Sequence, residues 1–235
     1  MTIGILATVY IDNDVTYNQA LRALDTMRSK YKLVFYARVT KLDNNYREIL
    51  QRFNVVDENS ENILSKSWNK GVKRALKEGC KYVIIPNLDI ELSDGAIDNL
   101  VDYAEKDKES VMWSGRCLNS IANYPSGDFV VNSFEVYDHY AFFMVNDRLF
   151  KEVGKFDEKF IPAYGEDVDM QYRIDLKGRK NMCVENARFI HYGQTTVKNS
   201  PYWRGHNWQD QAHKYFIEKW GAFPRSQIYK KPFNK

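Results

Sequence analysis

Two polar residues follow a strongly apolar run near the middle of the chain and have the chemistry of a cation site. The run at 82–88 predicts a strand covered on both faces, and Asn87 and Asp89 stand where it ends. In an open α/β sheet, ligands bind at the carboxyl ends of strands, where a carboxylate can hold a divalent cation that bridges two phosphates. The alternative is a turn before a helix that Ser93 caps.

A second group of carboxylates surrounds the predicted start of another helix. Residues 154–158 read GKFDE and residues 165–169 read GEDVD, so five acidic side chains fall in a short stretch. Helix N-termini attract carboxylates through the helix dipole and the free N–H groups, which explains one of them but not the whole group. Glu166 and Asp167 leave the first turn in different directions, so one can face a cleft as a base while backbone donors hold the other.

His191 follows an apolar pair at the end of another predicted strand. An imidazole that completes a carboxylate-bound divalent site is ordinary metal chemistry, whereas a lone histidine more often forms structural hydrogen bonds. The remaining histidines, which lack such a setting, are His139, His206 and His213.

Strand-like and helix-like segments alternate through the first half of the chain, the pattern of a parallel sheet covered by helices. Strands are predicted at 2–8, 32–39, 55–56, 81–88, 111–114, 136–145, 182–184 and 188–190. Helices are predicted after the turn at 12–14, near 46–53, at 64–78, after Ser93, at 166–177 and at 207–220. The helix after Ser93 is expected to bury one face, formed by Ile97, Leu100, Val101 and Ala104.

Length and charge set broad limits on the protein. Its 235 residues, 44% of them hydrophobic, suffice for one domain with its own core. The formal net charge is +3, but residues 198–235 hold eight basic and two acidic residues, so this segment carries +6 and the rest of the chain −3. That asymmetry fits either an anionic ligand near the C-terminus or a solvated surface.

Cysteine usage and hydropathy bear on the compartment. The three cysteines are widely spaced and form no CxxC pair, so neither a disulfide framework nor a cysteine zinc site is indicated, and a reducing cytoplasm is favoured. The apolar run at 3–10 lacks a basic flank and is followed by Asp12 and Asp14, which makes it a poor signal peptide. No apolar stretch is long enough to span a bilayer, so any membrane contact is expected to be peripheral.

Taken in order, these segments resemble those of family 2 glycosyltransferases of the GT-A fold. Residues 69–89 resemble the family's segment that leads into its DxD-type motif, and residues 154–158 (GKFDE) resemble its GGFDE segment. Residues 166–167 match its ED motif, residues 191–193 resemble its metal-binding histidine segment, and residues 219–221 match its KWG signature. The resemblance implies an α/β chain of Rossmann-like architecture, with a mixed, mainly parallel central sheet flanked by helices. It divides the single domain into a nucleotide-binding half at 1–92, an acceptor and catalytic half at 93–197, and a basic aromatic segment at 198–235.

The activity that the resemblance implies is an inverting transfer of a sugar from a nucleotide-diphosphate donor, with UDP-sugars favoured, to a hydroxyl of a glycan or small glycoside. Asp167, with Glu166 beside it, would be the general base, and Asp89 and His191 would hold Mn²⁺ or Mg²⁺. Contacts to the nucleotide-sugar would come from Thr8, Tyr10, Asn69, Asn87, Asp89 and Arg204. Contacts to the acceptor would come from Asp157 and Tyr164.

Two departures from the family pattern leave alternatives open. Asn87 replaces the first aspartate of DxD, and no acidic residue follows the second strand at 38–40, so the nucleobase is not assigned. One rival is a non-catalytic sugar-nucleotide or glycan-binding module, against which the acidic pair and His191 count. The other is an enzyme that glycosylates hydroxylated bases in nucleic acid, favoured by aromatic and basic residues of the tail. These residues are Tyr202, Trp203, Arg204 and Trp208.

Overall fold

The computed structural model describes residues 1–58, 60–120, 125–131, 139–193, 195–200 and 208–224. Its strands are β1 (Thr2–Ile11), β2 (Lys32–Leu42), β3 (Asn54–Asp57), β4 (Tyr82–Pro86), β5 (Ile90–Leu92), β6 (Ser110–Cys117), β7 (Phe129–Val130), β8 (Phe142–Val145) and β9 (Lys180–His191). Its α-helices are α1 (Asp14–Thr26), α2 (Leu64–Lys77), α3 (Ala96–Lys106), α4 (Asp147–Glu152), α5 (Glu166–Leu176), α6 (Thr195–Asn199) and α7 (Trp208–Trp220). Two 3₁₀ helices span Asn44–Arg52 and His139–Ala141.

All nine of these strands join one sheet in the order β3-β2-β1-β4-β8-β6-β9-β5, with β7 paired to β9. The pairings of β1 with β2 and β4, of β2 with β3, and of β6 with β9 are parallel, whereas β5, β7 and β8 run the other way. The predicted mixed, mainly parallel sheet flanked by helices is confirmed. Six strands therefore bring their carboxyl ends to one edge of the sheet.

The apolar runs are explained by burial on both faces of the sheet. Along β1, Ile5 and Ala7 pack into a core with α1 and α3, while Leu6 between them packs into a second core with α2, α5 and α7. Because successive side chains of a strand point to opposite faces, a strand covered on both sides needs apolar residues at nearly every position.

The close approach of α2 to β1 explains why residue 71 is a glycine. A Cβ at Gly71 would lie 2.2 Å from Cδ1 of Leu6, whose side chain is fully buried. Only glycine admits this separation, because any larger side chain would have to displace Leu6 from the core. The turn of α2 that carries Asn69 is thereby pressed against the strand that leads into the predicted nucleotide pocket.

Several boundaries differ from the sequence-based expectations. The residue that caps α3 is Gly95, at φ 75°, and Ser93 contributes only its carbonyl oxygen to the Ala96 N–H. The strands expected at 182–184 and 188–190 are one strand, β9, whose pairing with β6 shifts register between them. Of the strand expected at 136–145, residues 142–145 form β8, residues 139–141 form a 3₁₀ helix instead, and residues 136–138 lie outside the described residues. The segment near 46–53 is a 3₁₀ helix.

Two features bear on the compartment expectations. None of the helices in the described part of the chain is long and apolar enough to cross a membrane. The three cysteines, Cys80, Cys117 and Cys183, are free and buried. The subdivision of the domain at residues 92 and 197 stays a prediction.

Candidate active site

A cleft of about 640 Å³ opens at the edge of the sheet where the parallel strands end. The last residues of β1, β2, β4 and β9 all contribute to its lining, and the segment that begins α5 and one side of α7 close it from the other direction. This position follows the rule that open α/β sheets bind ligands beyond the carboxyl ends of their strands. A second cavity, lined by Tyr82 and Trp113, is smaller, at about 260 Å³.

Antiparallel pairing of β5 with β9 brings Asp89 to His191, although 102 residues separate them. His191 Nε2 lies 3.2 Å from Asp89 Oδ1 and 3.3 Å from Asn87 Nδ2. Both partners of the pair line the cleft, with 16% of the Asp89 side chain and 12% of the His191 side chain exposed. The predicted group of Asn87, Asp89 and His191 is therefore assembled at one point of the sheet edge.

Backbone contacts fix this group in place. The side-chain amide of Asn119 bonds both the N–H and the carbonyl of His191, each at 2.9 Å. The N–H of Thr195 donates to Asp89 Oδ2 at 3.3 Å. Burial raises the pKa of Asp89, but the hydrogen bond and charge of His191 and the Thr195 N–H outweigh it and hold that pKa below its ordinary value. The carboxylate is thus ionised and available to a cation.

The pair of Asp89 and His191 fits a divalent cation in part. Two neighbouring ligands at ~2.1 Å from one ion lie roughly 3 Å apart, close to the spacing of these two atoms. No group of three His, Cys, Asp or Glu side chains that could hold a metal occurs among the described residues. A cation here would therefore take its remaining ligands from a bound anion and from water.

Two successive residues with positive φ aim the acidic pair into the cleft. Tyr164 has φ 82° and Gly165 has φ 92°, and α5 begins directly after them. A left-handed conformation is rare for a residue with a side chain, and such strain concentrates at functional sites. The turn leaves Tyr164, Glu166 and Asp167 all lining the cleft.

The two acidic residues have different surroundings. Glu166 is 4% exposed, and its Oε2 atom is buried without a hydrogen-bond partner among the described residues. Burial first, and the charge of Asp167 second, raise the pKa of Glu166 well above its ordinary value. Asp167 is half-buried, and its Oδ1 accepts the Val168 N–H at 2.8 Å. Glu166 is therefore held as a neutral acid, while Asp167 faces the cleft with contact to solvent.

Two other carboxylates of the acidic group, Asp157 and Asp169, bind protein cations instead. Asp157 Oδ2 accepts from Lys219 Nζ at 2.6 Å and from the Tyr215 hydroxyl at 2.7 Å, and Asp157 does not line the cleft. Asp169 is fully buried and accepts from Trp220 Nε1 at 2.9 Å, with Lys219 Nζ 2.6 Å away. The acceptor role expected for Asp157 stays a prediction, although its carboxylate is already engaged.

The residues expected to contact the nucleotide divide into two groups. Thr8 and Tyr10 line the cleft, and the Tyr10 hydroxyl lies 3.0 Å from Ser200 Oγ. Asn69 does not line it, because its side-chain amide bonds the N–H and the carbonyl of Phe156 at 3.0 and 2.8 Å. Arg204 lies outside the described residues, as do Tyr202 and Trp203.

One wall of the cleft was not predicted from the sequence. It consists of Gln209 and His213 on α7 and of Phe223 beyond the helix. Neither a strand end nor an acidic motif adjoins His213 in sequence, so its position in the chain gives no functional signal. The helical spacing of Gln209 and His213, four residues apart, was the signal that they share a face.

The described lining of the cleft contains no lysine and no arginine. Its acidic side chains, Asp89, Glu166 and Asp167, include the ionised Asp89. A polyanionic ligand would meet repulsion here unless a cation accompanied it.

Comparison of sequences gives one distant relative. No protein-family model matches the chain. A galactofuranosyl glycosyltransferase of Leishmania donovani is 24% identical over 179 residues, which cover 56% of this chain and 41% of that protein. The chain thus spans less than half of that relative's length.

Comparison of structures gives closer geometric matches. Residues 1–349 of TarS from S. aureus align with a TM-score of 0.60 at 11% identity, covering 84% of this chain and 63% of the other. The mannosyltransferase PcManGT from Pyrobaculum calidifontis, solved with GDP-Man and Mn²⁺, also gives 0.60 at 11% identity and covers 92% and 61%. TarS with UDP-GlcNAc gives 0.57 at 12% identity, over 80% and 57%. The resemblance inferred from the motifs is confirmed, and the chain has the GT-A fold of glycosyltransferases.

Proposed function

We propose that the chain is a metal-dependent, inverting glycosyltransferase that moves a sugar from a nucleotide-diphosphate donor to a hydroxyl of a glycan or small glycoside. The observation that carries the proposal is the meeting of two groups in one cleft, the Asp89–His191 pair and the Glu166–Asp167 pair. A binding module would need neither an ionised carboxylate beside a histidine nor a buried acid beside a half-buried one. The fold shared with two proteins solved with nucleotide-sugars supports this reading.

In this proposal the donor would lie along the carboxyl ends of β1 and β4. Thr8 and Tyr10 would line the nucleoside end, and the diphosphate would reach Asp89 and His191. Because the described lining has no lysine or arginine, a divalent ion held by Asp89 and His191 would supply the positive charge that offsets the diphosphate and its departure. UDP is the favoured nucleotide.

The transfer requires one proton acceptor and one displacement. The acceptor oxygen forms a bond to the anomeric carbon while the bond from that carbon to the diphosphate oxygen breaks, and the configuration inverts. Asp167 takes the proton of the acceptor hydroxyl: both carboxyl groups line the cleft, but burial raises the pKa of Glu166 and so favours its protonated form. Glu166, held neutral beside it, orients the ligand as a hydrogen-bond donor.

The proposal is tested by screening UDP- and GDP-sugars for hydrolysis and for thermal stabilisation of the protein, with and without Mn²⁺. Donor hydrolysis needs no known acceptor. The Asp89→Ala variant should lose the metal-dependent part of donor affinity by calorimetry while its melting temperature without ligand stays close to that of the wild type. The exposed Asp94, two residues beyond β5, supplies the matched control Asp94→Ala. Unchanged donor affinity in Asp89→Ala would mean that Asp89 does not hold the cation and serves only to form the turn after β4.

A further inference from the structure

The unpredicted wall of the cleft presents an aromatic ring to solvent. Phe223 is 62% exposed, more than any other large hydrophobic side chain that the structure describes. Its ring lies edge-on to the His213 ring, with centroids 5.9 Å apart and an interplanar angle of 85°. Gln209, one turn before His213 on α7, is also exposed to the cleft. The wall therefore combines an open apolar ring with two side chains that can both donate and accept hydrogen bonds.

Local backbone geometry builds this arrangement. Gly221 has φ 81° directly after α7, and its N–H bonds the Ile217 carbonyl at 2.7 Å. A left-handed residue at this point ends the helix and reverses the chain, which returns Phe223 to the side of the helix that carries His213. Residue 221 is thus a glycine because the chain must reverse there to bring Phe223 beside His213.

A buried ion cluster fixes the wall relative to the acidic pair. Lys219 Nζ lies 2.6 Å from both Asp157 Oδ2 and Asp169 Oδ1, and Trp220 Nε1 donates to the same Asp169 oxygen. Asp169 stands one residue beyond Val168 on the first turn of α5, which also carries Asp167. The ring of Phe216, on α7, lies 3.3 Å from where a Cβ of Gly165 would be. The end of α7 and the start of α5 therefore hold one another in a fixed position on this side of the cleft.

We propose that this wall is the acceptor subsite, in which the sugar ring of an uncharged glycoside lies on Phe223 and its hydroxyls bond Gln209 and His213. The inference rests on the proposed function and deepens it. A sugar ring has an apolar C–H face that covers an aromatic ring and hydroxyls at its rim that need both donors and acceptors. An uncharged acceptor is favoured over a nucleic acid because the described lining carries acids and no lysine or arginine to bind phosphates.

The test is saturation-transfer NMR with methyl glycosides of glucose, galactose, mannose, N-acetylglucosamine and galactofuranose, in the presence of UDP and Mg²⁺. At least one glycoside should bind the wild-type protein through its ring protons. Phe223→Ala should weaken that affinity by at least about tenfold, because it removes the apolar surface that the ring covers. Phe223→Tyr should keep it within about threefold. Leu176→Ala, at another exposed apolar side chain on α5 that does not line the cleft, should leave it unchanged.

Other outcomes would overturn the inference. They are the absence of binding by every glycoside, affinity unchanged in Phe223→Ala, or displacement of the bound glycoside by single-stranded DNA, which would assign the wall to nucleic acid. Hydrolysis of the donor by water should stay within about twofold of wild type in Leu176→Ala, because this side chain does not line the cleft. A protein that binds glycosides through Phe223 but neither binds nor hydrolyses any nucleotide-sugar would refute the proposed function and leave the subsite standing.

Discussion

At the scale of single residues, carboxyl groups that are close together in the sequence of α5 differ in burial and in the charges beside them. Glu166 has its pKa raised by burial and by the neighbouring charge, while Asp169, three residues along the helix, is buried beside Lys219 and Arg173. Asp167 between them is half-buried and lines the cleft. A buried carboxyl group with a raised pKa, next to a second carboxyl group that has contact with solvent, is a usual basis for assigning the proton acceptor of a reaction.

Asp167→Asn separates the role of base from that of a structural acceptor. The amide oxygen can still accept the Val168 N–H, so stability and donor affinity should be close to wild type. Turnover should fall about a hundred- to ten-thousand-fold, because an amide cannot take the acceptor proton. Glu166→Gln should reduce turnover less than Asp167→Asn does, since glutamine mimics a protonated glutamic acid. Steady-state kinetics and donor calorimetry on both variants are the measurement, and near-normal turnover in Asp167→Asn with loss in Glu166→Gln would make Glu166 the base.

The raised pKa of Glu166 predicts a dependence of stability on pH. Above its ordinary value of 4.5 the unfolded state loses the proton while the folded state keeps it, so the wild-type free energy of unfolding falls as pH rises toward the raised pKa. Glu166→Gln has no such proton, and its stability relative to wild type should grow with pH by about 1.4 kcal/mol per pH unit at most. Urea unfolding between pH 5 and 8 measures this difference. The control Glu218→Gln, at an exposed position of α7, should show no such difference from wild type. If the free energies of unfolding of Glu166→Gln and wild type changed with pH in parallel, Glu166 would ionise freely in the folded protein.

At the scale of elements, Lys219 is the contact that joins α7, α5 and the 154–158 segment. Its side chain is 7% exposed and lies between the carboxylates of Asp157 and Asp169. Burial tends to raise the pKa of Asp157, but Lys219 and the Tyr215 hydroxyl hold it below its ordinary value, so the carboxylate stays ionised. The lysine of the 219–221 segment and the aspartate of the 154–158 segment, which the family resemblance singled out separately, are therefore one structural unit.

Lys219→Met should destabilise the protein by about 3–5 kcal/mol, because it removes the cation shared by the buried carboxylate of Asp169 and the half-buried carboxylate of Asp157. Lys214→Met, on the exposed side of the same helix, should change stability by no more than about 0.5 kcal/mol. The free energy of unfolding from denaturant titration is the measurement. A loss below about 1 kcal/mol in Lys219→Met would show that this cluster does not hold the elements together.

At the scale of the whole molecule, the three cysteines report on the integrity of both cores. Cys80, Cys117 and Cys183 are at most 5% exposed. Burial raises the pKa of the Cys183 thiol to about 12 and also raises that of Cys80, so very little thiolate is present near neutral pH.

The three thiols should therefore be inert to a disulfide reagent in the native protein and react together when it unfolds. Reaction with Ellman's reagent across a urea titration measures this, and the labelled fraction should follow the loss of native circular dichroism. Rapid labelling of one thiol without denaturant would reveal a local opening of the core that contains it.

The sequence by itself determined the main helices and strands and the order of the motifs, whereas the short elements β5, β7, α4 and α6 were not predicted. Apolar runs and helical spacing encode burial locally, which is why the buried face of α3 and the start of α5 were predicted correctly. The cap at Ser93 was wrong because a left-handed glycine, Gly95, took that place, and a turn conformation of this kind leaves only a weak local signal.

The tertiary structure alone decided which of the predicted chemical groups meet. The pairing of β5 with β9 brings Asp89 to His191. Asp157 and Asp169, by contrast, both form ion pairs with Lys219. The wall of Gln209, His213 and Phe223 likewise depends on how α7 docks against α5. Strand register and long-range ion pairs depend on the packing of elements far apart in the chain, and no local pattern of residues encodes them.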